Sequence, residues 1–160
     1  MAIREERPGD HAAIRAVVTA AFGRADEADL VDALRANGDS VLSLVAEEDR
    51  IIGHVLFSRM AAPFRALGLA PVAVLPDRQR FGVGCSLIRA GLEAAHHAGW
   101  QGAFVFGNPD FYRRFGFDAS LAAGFASPYA GPNLMVAPLG GVLPAMEGRI
   151  DYAPAFAKLG

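Results

Sequence analysis

Apolar positions along the chain change period several times, and each change marks an element. Ala2 to Arg7 predicts a short strand, closed by Pro8-Gly9-Asp10 as a turn and a helix N-cap. Ile14, Val17, Val18, Ala21 and Phe22 then recur at three- and four-residue spacing, one apolar stripe along a helix. A second helix is predicted over Asp26 to Ala36. It turns Leu30, Val31 and Leu34 inward and holds Asp26, Glu27 and Asp29 near its positive end. Val41 to Glu47 and Arg50 to Met60 are apolar runs joined by Glu48-Asp49, the pattern of an antiparallel hairpin, and Leu67 to Leu75 is a third run stopped by Pro76-Asp77.

Gly82 to Ala98 returns to helical spacing, with Val83, Leu87, Ile88, Gly91, Leu92 and Ala95 on one face and Gly99 beyond the end. Ala103 to Phe106 predicts a short buried strand. Asn108-Pro109 then caps a brief helix that stops before Gly116. From Ala119 to Met146 there is no charge, a stretch long enough to span a bilayer. Pro128, Pro132, Pro138, Pro144 and the glycines between them break it into short buried strands joined by turns. No repeat or linker divides residues 1–160, so a single domain is expected.

Composition narrows the functional classes. At 160 residues and 52% hydrophobic, the chain can bury a core, which excludes disorder and collagen-like structure. A formal charge of -2 gives no broad phosphate footprint, so no nucleic-acid partner is expected. Cys85 is the only cysteine, which removes intramolecular disulfides and Cys-rich zinc sites. Arg4, Glu5, Glu6, Arg7 and Asp10 interrupt any apolar signal core at the start. Together these features point to the cytoplasm and to no membrane partner. Lys158 is the only lysine beside fourteen arginines, a pattern that a compositional habit of the source genome explains.

The chemistry concentrates between Leu69 and Ile88, where a strand, a glycine-bearing loop and a helix start follow one another. Such a junction aims several backbone N–H groups and a positive helix end at one spot, which suits a phosphate or pyrophosphate. Gly82 and Gly84 remove side chains where a ligand would approach the backbone, and Gln79 and Arg80 can add donors. A hydrogen bond involving a charged group contributes about 1.5 to 3 kcal/mol. The dinucleotide fingerprint fails because Leu87 stands at its third glycine, and the P-loop fails because Lys158 lies far from the loop. On the glycines alone, an ordinary turn fits as well as a ligand loop.

The spacing Gln79-x-x-Gly82-x-Gly84 after an apolar strand resembles the signature of the GNAT superfamily of N-acetyltransferases, whose loop amides cradle the pyrophosphate of acetyl-coenzyme A. Asn108-Pro-Asp-Phe-Tyr-Arg-Arg-Phe-Gly-Phe117 resembles the second half-site of that family, in which a tyrosine lies close to the coenzyme sulfur. The likeness also takes in the Pro-Gly-Asp start, the hairpin and the tail from Gly148 to Phe156. It is nearest to the bacterial YhbS-like branch. It implies a mixed α/β (α+β) fold: a mostly antiparallel central sheet, splayed where the signature strand meets the strand ending near Phe106, with helices on both faces.

The resemblance also implies roles. Gln79, Arg80, Phe81, Gly82, Val83, Gly84 and Cys85 would hold the pyrophosphate, Ala73 and Val74 would meet the pantetheine arm and thioester, and Asn108 would lie on the coenzyme side. Tyr112 matches the position that protonates the departing thiolate, a task suited to a phenol with a pKa near 10. Leu67 to Leu75 lacks the acid that many relatives use as a base, which leaves Glu27 as the candidate base or substrate contact. Acids in a first helical turn also serve the helix dipole. The implied cosubstrate is acetyl-coenzyme A, with no metal, a small-molecule or peptide amine as acceptor, and a homodimer as a possible assembly. A coenzyme-binding sensor without efficient transfer and a nucleotide-binding protein are the rival functions. His54 is expected to be a satisfied structural group, His96-His97 a solvated or capping pair, and Cys85 a packing residue without an acyl-enzyme role.

Overall fold

A computed structural model describes residues 1–159. Its elements are β1 (Ala2–Glu5), α1 (His11–Phe22), α2 (Asp26–Ala36), β2 (Ser40–Glu47), β3 (Ile51–Arg59), β4 (Ala66–Val74), α3 (Val83–His97) and β5 (Gly102–Phe106). There follow α4 (Pro109–Tyr112), α5 (Ala119–Ala122), β6 (Phe125–Ala126), β7 (Leu134–Pro138) and β8 (Gly148–Arg149). Six strands form one sheet in the order β1-β2-β3-β4-β5-β7, and β6 pairs with β8 as a small parallel ribbon. Only the β4–β5 contact of the main sheet is parallel.

Side-chain alternation along the strands builds two cores from one sheet. Leu44, Ala46, Val55 and Phe57 join Leu87 and Ile88 of α3 on one face. Val45 and Leu56 join Ile14, Val17 and Val18 of α1, and Leu30, Val31 and Leu34 of α2, on the other. The stripes predicted for these helices are therefore the faces they bury. Phe22 departs from its stripe, since it is 41% exposed at the end of α1. Gly91 shows how tight the α3 contact is: a Cβ there would collide with the Phe57 ring. No helix among the described residues is long and apolar enough to cross a membrane.

Two local departures from the sequence pattern have clear causes. Asp10 does not cap α1 with its side chain, because Pro8–Asp10 already forms a 3-10 turn and Asp10 itself is helical. Its carboxylate reaches backward to the Arg7 N–H at 2.7 Å and pairs with Arg4 at 2.7 Å, fastening the chain between β1 and α1. Pro71 sits inside β4, where proline removes a ladder donor. The register explains its tolerance: Val55 pairs with Val72 and Phe57 with Leu69, so β4 carries one extra residue and bulges around Ala70-Pro71.

Candidate active site

The parallel ladder between β4 and β5 is short. Ala66, Leu67 and Gly68 pair with Gly102, Ala103 and Phe104, and beyond Gly68 the ladder ends while β4 stays paired to β3 as far as Val74. The Leu75 N–H donates to Ile52 C=O at 2.9 Å. Antiparallel alternation then turns the backbone groups of Ala73 toward β3 and those of Val72 and Val74 toward the gap. The expectation for Ala73 and Val74 is corrected by one residue. Ala73 is 2% exposed and packs in the cluster beneath α1 and α2, whereas Val72 and Val74 line the cleft. A two-residue step back from Val74 would have found Val72 in the sequence.

The loop after β4 passes through a 3-10 turn at Pro76–Arg78, then Arg80 at φ 71° and Gly82 at φ 81°, before α3 begins. Those left-handed angles suit glycine at 82 and are unusual for an arginine at 80. Gly82 caps α3 without a side-chain hydrogen bond, and the first helical backbone bond runs from the Ser86 N–H to Gly82 C=O at 3.0 Å. The N–H groups of Val83, Gly84 and Cys85 therefore lie in the unbonded first turn. A Cβ at Gly82 would meet nothing, and one at Gly84 would only touch Val74 and Val72 at 3.7 and 3.8 Å. Gln79 is committed within the protein: its Nε2 donates to the Val74 C=O at 3.0 Å.

These parts enclose a cleft of about 670 Å³. Val72 and Val74 form one wall, Gln79, Arg80 and Gly82 to Cys85 another, Phe111, Tyr112 and Arg114 the third, and Ala21 and Phe22 of α1 close an end. Asn108 accepts a hydrogen bond from the Asp110 N–H at 2.9 Å and so starts α4. That short helix sets the Tyr112 ring over Gly107, where a Cβ would lie 2.6 Å from Tyr112 Cε2. Phe111 and Phe117 meet the ring edge-on at centroid distances of 4.9 and 5.8 Å. Burial pushes the Tyr112 phenol above its ordinary pKa, so it keeps its proton at neutral pH.

Not every anticipated residue is here. Phe81 is 78% exposed and borders a separate hollow with Met1 and Ile52, and Asn108 is exposed at its cap outside the cleft. Glu27 is also absent from the walls: its nearly buried carboxylate takes two hydrogen bonds from Arg24, at 2.6 and 3.0 Å. The Arg24 contact holds the Glu27 pKa below its usual range. Glu27 therefore secures the start of α2, as an acid in a first helical turn often does.

Two arginines that the motif does not single out, Arg78 and Arg114, do border the cleft. Arg78 is shared with Glu48 and Asp77, whereas Arg80 and Arg114 have no carboxylate partner among the described residues. No Asp, Glu or His lines the cleft, and no group of three or more potential metal ligands occurs among the described residues. His54 is fully buried and half satisfied. Its Nε2 meets Ser43 Oγ at 2.8 Å, while Nδ1 has no partner among the described residues. Burial lowers the imidazole pKa to about 4.

Residues 39–119 match the family model of the acetyltransferase (GNAT) domain. The chain is 41% identical over 134 residues to the N-acetyltransferase YjhQ of Escherichia coli K12, covering 78% of this chain and 74% of that protein. It is 35% identical over 123 residues to the N-acetyltransferase YhbS of the same strain, covering 74% of each. The crystal structure of YhbS from E. coli in complex with CoA superposes with a TM-score of 0.92 at 30% identity, over 99% of this chain and 93% of that one. A GNAT family acetyltransferase from Brucella melitensis in complex with acetyl-CoA gives 0.83 at 40% identity, over 97% of each chain.

Proposed function

Because the chain belongs to the GNAT acetyltransferase family, we propose that its cleft binds acetyl-coenzyme A and passes the acetyl group directly to an amine. Acetyl-coenzyme A is a substrate here, and the residues present suit it. The unbonded N–H groups at the start of α3, with Arg80 and Arg114 free of carboxylates, favour its phosphates. The open edge at Val72 and Val74 offers backbone partners to an amide-bearing arm. The observation that carries the proposal is the meeting of that edge, the glycine loop and Tyr112 around one cleft.

Tyr112 is the proposed acid. As the amine nitrogen bonds to the thioester carbon and the carbon–sulfur bond breaks, its O–H gives the sulfur a proton, a step of the kind that contributes about 100- to 10,000-fold. Gln79 holds the loop to the edge of β4. Gly84 keeps the approach to the first turn of α3 clear. With no carboxylate or imidazole on the cleft walls among the described residues, the proton shed by the amine leaves through water.

Calorimetric titration with acetyl-coenzyme A, followed by free-thiol release across a panel of primary amines, tests this function. Binding and amine-dependent release are expected. The rate per amine should rise about tenfold per pH unit below the amine's own pKa, near 10.4 for a lysine-like amine. Binding without amine-dependent release would instead identify a sensor. A plateau near pH 6.5 would reveal a protein base.

A further inference from the structure

Eight of the fourteen arginines form ion pairs with carboxylates, but Arg89 and Arg114 form none among the described residues. They are held by rings instead. The Arg114 guanidinium carbon lies 4.8 Å from the centre of the Phe111 ring, and that of Arg89 lies 5.0 Å from the centre of the Phe115 ring. Those rings meet edge to face at 5.4 Å, so one aromatic pair carries two cations. Arg114 Nε also donates to the Phe111 C=O at 2.9 Å, which fixes the guanidinium and leaves its two terminal nitrogens without partners among the described residues. The acids nearest along the chain neutralise neither side chain. Asp110 is taken by Arg113, and Glu93, one turn on from Arg89 along α3, makes no ion pair among the described residues.

Both cations stand at the rim of the cleft. Arg114 and Phe111 belong to the wall that faces the start of α3. Arg89 follows the cleft residue Cys85 by four positions, which places it about 6 Å farther along the same face of α3. Two cations on adjoining rings repel each other, and an anion between them would turn that repulsion into attraction. With the pyrophosphate of acetyl-coenzyme A at the start of α3 and its arm directed to Tyr112, the adenosine leaves the cleft at this rim. Its 3′-phosphate is one ribose away from the pyrophosphate, and a phosphate monoester carries a charge of about -1.5 to -2 at pH 7.

We propose that Arg89 and Arg114 form a second phosphate site at the rim, which takes the 3′-phosphate of coenzyme A and distinguishes it from the dephospho form. This rests on the coenzyme reading, so two ligands separate them. Calorimetric titration of the unaltered protein with acetyl-coenzyme A reports on that reading. Comparison with 3′-dephospho-acetyl-coenzyme A reports on this one, whatever substitutions do to folding.

The dephospho form should bind about tenfold more weakly. Equal affinities overturn the proposal while the coenzyme site stands, and binding of neither ligand overturns both. In Arg89→Gln and Arg114→Gln, the Kd for acetyl-coenzyme A should rise about fivefold with that for the dephospho form unchanged, and the double variant should bind the two alike. Equal losses for both ligands, at an unchanged Tm, overturn the proposal by assigning these arginines to the pyrophosphate.

Discussion

The closed and opened halves of the sheet use absent side chains in opposite ways. Where the sheet is closed, missing side chains are filled by rings: Phe57 occupies the space at Gly91, Phe64 that at Gly102, and Tyr152 that at Gly68. Where it is opened, Gly82 faces nothing and Gly84 meets only the edges of Val72 and Val74. Gly84 and Gly91 lie two turns apart on α3, so sequence context alone does not separate them. The lesson is that glycine in the closed half serves cohesion, while in the opened half it keeps room for another molecule.

The sharpest division should appear at Tyr112, which belongs to the opened half. Tyr112→Phe is expected to lower kcat by about 100-fold or more while urea unfolding stays close to the original. A kcat within threefold of the original would remove Tyr112 as the acid.

His54, in the closed half, should show the converse: stability moves and chemistry does not. Its folded pKa of about 4 lies below the unfolded value near 6.5, so the folded state binds fewer protons. The stabilisation is fully present above pH 6.5 and is lost as pH falls toward 4, by about 3 kcal/mol in all. Glu6 acts in the same direction at lower pH, since hydrogen bonds from Arg35 and Ser43 outweigh its desolvation and hold its pKa down. Urea unfolding at pH 7.5 and 4.5 measures the drop, and His54→Gln should shrink it. An unchanged drop would assign the acid sensitivity to the carboxylates.

Gly91→Ala sharpens the comparison further. Its methyl must displace the Phe57 ring, at an expected cost of about 2 kcal/mol in unfolding free energy with coenzyme affinity retained. Gly84→Ala is the mildest and most telling change. Stability should hold or rise, because its Cβ has room and alanine favours a helix, while the Kd for acetyl-coenzyme A rises about tenfold. A reversed pattern at Gly84 and Gly91 would dissolve the distinction.

Much of this was visible in the residues. The helical stripes of Ile14 to Val18 and Leu87 to Ala95 and the hairpin are local patterns of period and punctuation, which a chain displays without its fold; the opened strand was implied only by the family resemblance. The loop's glycines were visible in the spacing, but its role as a ligand loop came from the resemblance of Gln79-x-x-Gly82-x-Gly84 to a family signature. The phase of the β4 ladder was not visible, because the bulge at Pro71 and the partner residues across β3 decide whether Ala73 or Val72 faces the gap. The pairing of Glu27 with Arg24 was not legible, because it depends on where one flexible side chain lies. The contact of Tyr152 with Gly68 had no local signal, because the two residues meet only when distant parts of the chain come together.

The bond from Gln79 Nε2 to the Val74 carbonyl has a consequence for the polarity of the opened edge. With that acceptor in use, Val74 presents its N–H to a visitor more readily than its C=O. The edge near the loop is thereby biased toward donation. One glutamine thus orders the loop and writes a donor pattern onto a bare strand. Replacing it would change which hydrogen bonds the strand offers, even if every atom of the backbone stayed in place.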